Sequence, residues 1–117
     1  MIILVTGGRD YANAAVVDSV LSWCLTPGDI LVHGCATGAD QLCAEWCYAH
    51  GVHAAGVPAL WDWERKQGNV RVAGHKRNNA MLLLQPELCI VFPGGRGTMD
   101  MARKAGNAGV KLLYVKT

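Results

Sequence analysis

At 117 residues, 51% apolar and 17% charged, with a formal net charge of +2, the chain has the composition of a single globular domain spanning residues 1–117. It can bury roughly two-thirds of the surface its unfolded form exposes, enough for a core without staples. The small net charge argues against a general nucleic-acid coat, and no window approaches the ~18 apolar residues of a membrane span.

The five cysteines are odd in number and scattered at Cys24, Cys35, Cys43, Cys47 and Cys89, with no CxxC pair. They read as reduced thiols in a cytoplasmic protein, with no metal and no cofactor expected.

Short β-branched runs alternate with longer helical patterns, the signature of an α/β parallel sheet. Ile2 to Val5 reads as a buried first strand, followed by a helix burying Val16, Val17, Val20, Leu21 and Cys24 and broken at Pro27 and Gly28. Ile30 to His33 is the second strand. Ala39, Leu42, Cys43 and Trp46 fall on one face of the next helix, which His50 and Gly51 close. Val52 to Val57 supplies the third strand. From Pro58 to Gly74 periodicity fails, and a long loop carrying Trp61 and Trp63 is expected; loops of this length are usually functional or disordered. Residues 75–85 read as a helix apolar on several sides (Ala80, Met81, Leu82, Leu83, Leu84), suited to deep burial or a subunit interface. A fourth strand over 88–92, a helix over 97–109 and a fifth strand over 111–115 complete the pattern.

Each polar, glycine-rich cluster lies at the carboxyl end of an expected strand: TGGRDY after the first, HGCATGAD after the second, PGGRGT after the fourth. In open α/β sheets the ligand crevice lies on that edge. Gly7, Gly8, Gly34, Gly38, Gly94, Gly95 and Gly97 let a ligand approach the backbone, and the first amides of each following helix favour an anion. Arg9 and Arg96 add charge suited to bidentate phosphate contacts. Asp10 and Asp40 either hydrogen-bond ribose hydroxyls or cap their helices, and Thr37 and Thr98 either hold a phosphate oxygen or cap. None of the loops matches GxGxxG or GxxxxGK[ST], which disfavours dinucleotide redox chemistry and ATP hydrolysis. His33 and His75 are candidate proton carriers or structural histidines. Cys35, near a helix N-terminus, is either a reactive thiol or a small residue in a turn.

GGRDY, HGCATGAD and FPGGRGTMDM, in this order and spacing, resemble the SLOG superfamily of Rossmann-like nucleotide-binding proteins, especially its YspA/YpsA-related branch. The likeness spans nearly the whole chain. It implies a Rossmann-like three-layer sandwich with a five-stranded, mostly parallel sheet, a nucleotide-like ligand and a homo-oligomer, here through the 75–85 helix. The superfamily is similar in fold to the DNA-processing protein DprA and to the LOG phosphoribohydrolases. The LOG pattern PGGxGTxxE meets PGGRGTMDM, and the arginine of the LOG arginine–lysine pair falls on Arg77, with Asn78 in place of the lysine. Hydrolysis of an N-glycosidic bond needs a carboxylate, yet the position of the LOG glutamate is Met101. Asp100 is adjacent but turned about 100° along the helix.

The leading expectation is therefore a module that binds a nucleotide or nucleotide-derived molecule, to sense, deliver or sequester it. The alternative is a phosphoribohydrolase-like enzyme with Asp100 or Asp40 as its carboxylate and Arg77 steering the phosphate. A third is DprA-like nucleic-acid binding through the basic residues between Arg65 and Arg77, against which the net charge argues.

Overall fold

The computed structural model describes residues 1–117. In chain order the elements are β1 (Ile2–Thr6), α1 (Ala14–Cys24), β2 (Ile30–His33), α2 (Ala39–His50), β3 (His53–Gly56), α3 (Trp61–Lys66), α4 (Val72–Leu82), β4 (Leu88–Val91), α5 (Arg96–Asn107) and β5 (Lys111–Tyr114). All five strands are parallel, in the order β3-β2-β1-β4-β5. The fold is a Rossmann-like three-layer α/β sandwich.

The pleat divides the core in two. Ile3 and Val5 of β1 join Leu31, Ile90 and Phe92 beneath Val17 and Leu21 of α1 and Cys43 and Cys47 of α2. Leu4 points the other way, joining Val32, Cys89 and Val91 beneath Met81 of α4 and Met101, Ala102 and Ala105 of α5. Burial pushes the Cys47 thiol up to about 11 and that of Cys89 to about 12, so these sulfurs behave as small hydrophobes.

Chain direction reverses at β1. The segment β1-α1-β2-α2-β3 runs outward to one edge, and the connection through α3 and α4 returns across to β4. The carboxyl ends of β1 and β4 therefore diverge into a crevice, the position where this architecture receives ligands.

The expected loop over 58–74 instead holds α3 and the start of α4. Six residues are too few to show an apolar period, and α3 is fixed by tertiary contacts: Lys76 Nζ donates to Oε1 of buried Glu64 at 2.6 Å. The helix expected over 75–85 is also shifted. It begins at Val72, with Ala73 already buried, and ends at Leu82, after which Gln85 takes a left-handed conformation (φ 57°) before Pro86. Its apolar excess splits accordingly. Met81 enters the core, Ala80 and Leu82 are half-buried, and Leu83 and Leu84 lie exposed beyond the helix end. No helix is long and apolar enough to cross a membrane.

Candidate functional site

Three loops meet at the crevice and interlock through their backbones. Gly8 N donates to Pro93 O at 2.8 Å, and Gly8 O accepts from Ala39 N at 3.1 Å and from Tyr11 N at 3.2 Å. This packing needs glycine at Gly38, whose φ is +75° and where a Cβ would run into Gly8 O and the Arg9 carbonyl. Gly34 likewise leaves space that a Cβ would take from the Arg77 guanidinium. Gly94 packs from behind against Gly8 and Thr98.

The loops enclose a chamber of about 220 Å³. Of the residues singled out from the sequence, Gly7, Gly8, Arg9, Gly34, Asp40, Arg77, Gly95, Gly97 and Thr98 line it. Arg9 and Arg77 also border an outer chamber of about 240 Å³, which takes in Cys35, Thr37, Pro58 and Trp61. Other candidates lie elsewhere. Asp10 is exposed and faces a separate surface depression with Tyr11 and Gln41; Arg96 is exposed and Asp100 buried, and neither lines either chamber.

The floor of the inner chamber is the start of α5. Its N-cap is Gly95, which has no side chain to offer, and the amides of Gly97 and Thr98 have no acceptor within the chain. Thr98 is only 4% exposed as a residue, and what it exposes lines the chamber. The two unpaired amides thus coincide with the positive end of a twelve-residue helix.

Arg77 spans the chamber from the α4 side. Its Nη1 donates to Gly34 O at 2.6 Å and its Nε to Asn78 Oδ1 at 2.8 Å, leaving Nη2 without a partner in the chain. Burial lowers its pKa, with Asp40 pulling the other way, and a guanidinium stays charged throughout. Asn78, 4% exposed, in turn donates Nδ2 to Asp100 Oδ2 at 3.0 Å.

Asp100 also binds Arg103 at 2.7 Å and Lys104 at 3.0 Å, with His75 at 3.4 Å. Burial raises its pKa, but the hydrogen bonds from Asn78 and Lys104 outweigh that and hold it below the usual carboxylate range. Asp100 is thus a fixed anion anchoring Asn78, which orients Arg77. Met101 is fully buried in the core beneath α5.

The carboxylate that does reach the chamber is Asp40, in the first turn of α2. Its Oδ2 accepts from Gly34 N at 3.0 Å and Ala36 N at 3.2 Å, bracing the β2–α2 loop, while Oδ1 has no partner. Burial raises its pKa, opposed by the two amides, His33 and Arg77. His33 supports the same loop. Its Nδ1 accepts from Cys35 N at 3.1 Å, and burial lowers its pKa, which favours the neutral ring. Cys35 itself is exposed in a left-handed conformation (φ 59°) at the rim of the outer chamber.

Sequence reasoning noted Asn78 only as a departure from a relative's pattern and missed its role as the link between Arg77 and Asp100. An asparagine buried on a helix that also supplies a cleft arginine is the signal that could have found it. The basic segment is largely committed internally: Arg65 pairs with Asp62 at 2.9 Å, Lys76 with Glu64, and Arg77 faces the cleft.

Comparison with known proteins places the chain among relatives. A family model described as the YspA, cpYpsA-related SLOG family matches residues 1–65, which carry the first two glycine loops and reach into α3. The Gene 61 protein of Mycobacterium phage D29 is 32% identical over 121 residues, covering 95% of this chain and 93% of the phage protein. The chain belongs to the YspA, cpYpsA-related SLOG family.

Proposed function

We propose that this SLOG-family chain binds a nucleotide or nucleotide-derived small molecule, with a phosphate seated on the start of α5. The observation that carries the reading is the set of unused donors around the chamber: the amides of Gly97 and Thr98 and Nη2 of Arg77, with the Thr98 side chain lining the same space. A phosphate supplies acceptors for all of them and benefits from the helix dipole. The chamber shape is fixed before binding by the interlocked glycines, so little ordering cost opposes the ligand.

Calorimetry against nucleoside mono- and diphosphates and ribose 5-phosphate tests this. Arg77→Ala removes a charged hydrogen-bond donor, a loss of about 1.5–3 kcal/mol, and weakens binding about 10- to 150-fold. Thr98→Val keeps the shape and weakens it about 2- to 10-fold. Arg96→Ala, whose side chain lies outside the chamber, leaves affinity unchanged. Absence of binding by every phosphorylated compound refutes the reading.

A second reading, hydrolysis of an N-glycosidic bond, rests on Asp40 Oδ1, the free carboxylate oxygen within the chamber. Asp100 does not serve it, being held in the network between α4 and α5. Release of free base from a nucleoside monophosphate by the native protein but not by Asp40→Asn would establish turnover; binding without release would leave a binding module. Self-association belongs to the same proposal, since Leu83 and Leu84 are exposed at the end of α4. Sedimentation is expected to give a species larger than one chain, reduced to the monomer by Leu83→Ser.

A further inference from the structure

The phosphate reading leaves the outer chamber without a role. The two chambers share Arg9, Gly34, Ala36 and Arg77 along their border, so they adjoin as two parts of one cleft. Neither reaches the roughly 300 Å³ at which small-molecule sites begin, and together they do. A ligand that fills the cleft spans both, with its anionic end in the inner chamber.

The wall of the outer chamber indicates the chemistry of the other end. Pro58, Ala59 and Trp61 provide an apolar surface of which the indole is the largest part. Trp61 remains 37% exposed, although a ring of that size gains most from burial. It is positioned from two sides: its Cη2 edge lies beside Gly74 of α4, and the Arg9 guanidinium carbon sits 5.5 Å from the ring centroid. Trp63, two residues on, lines neither chamber and lies instead near Lys76, with Nζ 5.7 Å from its ring centroid. Of the two tryptophans, only Trp61 is placed where a ligand would meet it.

We infer that the outer chamber is a base subsite, in which Trp61 stacks the planar nucleobase of a nucleoside phosphate whose phosphate occupies the start of α5. This rests on the phosphate reading of the inner chamber and assigns a selectivity that reading does not contain. Trp61 makes the cleft prefer a nucleotide to the same sugar phosphate without its base.

Titration of the native chain with adenosine 5′-monophosphate and with ribose 5-phosphate separates the two. Stacking on an aromatic side chain predicts that the nucleotide binds about 5- to 150-fold more tightly. Trp61→Leu keeps an apolar group against Gly74, and it should bring nucleotide affinity down to that of ribose 5-phosphate while leaving ribose 5-phosphate unchanged. Trp61→Phe should retain most of the preference, and Trp63→Leu all of it. Equal binding of the two compounds by the native chain overturns the base subsite and leaves the phosphate reading standing. So does a Trp61→Leu chain that loses affinity for both compounds alike, which would make Trp61 a support for Arg9, or for neither. Failure of both compounds to bind overturns both readings.

Discussion

The two chambers of the cleft are built from different material. The inner wall carries five glycines, and its loops come together at Gly8, Gly34 and Gly38 where a Cβ would crowd or collide with a neighbour. The outer wall carries a single glycine and includes Trp61, Arg9, Cys35 and Thr37. On the proposed reading, a glycine-rich wall meets what phosphorylated ligands have in common, and changing it disturbs the fold. A side-chain wall can be altered residue by residue, so discrimination among ligands belongs there.

Substitutions can break or sharpen that contrast. The largest effect is expected at Gly38, where alanine must adopt a positive φ and also intrude on the Gly8–Arg9 backbone. Strain and overpacking together should cost about 3 kcal/mol in urea unfolding. A Gly38→Ala chain of native stability would show that the loops are not locked as described.

Next comes Asp100→Ala, which removes a mostly buried carboxylate from the cations Arg103 and Lys104 and from His75 and Asn78. Because Arg103 is well exposed, the loss should be about 2 kcal/mol rather than the larger values of fully buried pairs. Phosphate affinity should also fall, because Asn78 no longer holds Arg77; unaltered affinity would remove Asp100 from the site. The depressed pKa of Asp100 fixes the pH dependence. Its stabilisation is fully present above the ordinary aspartate value of about 3.9 and is lost as pH falls below it.

His33 lies beneath the β2–α2 loop that both chambers share. Burial depresses its pKa, so the folded chain disfavours the protonated ring and loses stability as pH falls through about 6.5 toward the depressed value. The slope cannot exceed about 1.4 kcal/mol per pH unit for one proton. In denaturant titrations between pH 7.5 and 5.5, His33→Gln should flatten it; an unchanged slope would assign the effect elsewhere. The smallest effect is at Tyr11, whose buried hydroxyl lacks a partner while its ring packs 5.4 Å from that of Phe92. Tyr11→Phe should change unfolding free energy by less than about 0.5 kcal/mol, or stabilise the chain.

What was legible in the sequence follows the same division. The apolar runs of the strands and the glycine clusters after β1, β2 and β4 are local signals, and they mark the edge of the sheet on which the crevice lies. The signals for α3 and for the true limits of α4 are not local. Glu64 is held by Lys76, twelve residues on, and Trp61 by Gly74, so the stretch between reads as irregular until the chain closes on itself. Charge alone does not say where a side chain points. Arg96 belongs to the right loop, but its side chain lies outside the cleft, and Asp100 carries a suitable carboxylate that is committed to neighbours on α4 and α5. Direction along a helix separates neighbours such as Arg96 and Gly97, and composition cannot supply it.

The uncapped start of α5 also gives the molecule an internal gauge of occupancy. Without a ligand, the amide protons of Gly97 and Thr98 are held by nothing in the chain and should exchange with deuterium far faster than those of the turns that follow. A seated phosphate would slow them selectively, so the exchange lifetimes of these two amides would report a bound anion in a mixture where the ligand itself has not been identified.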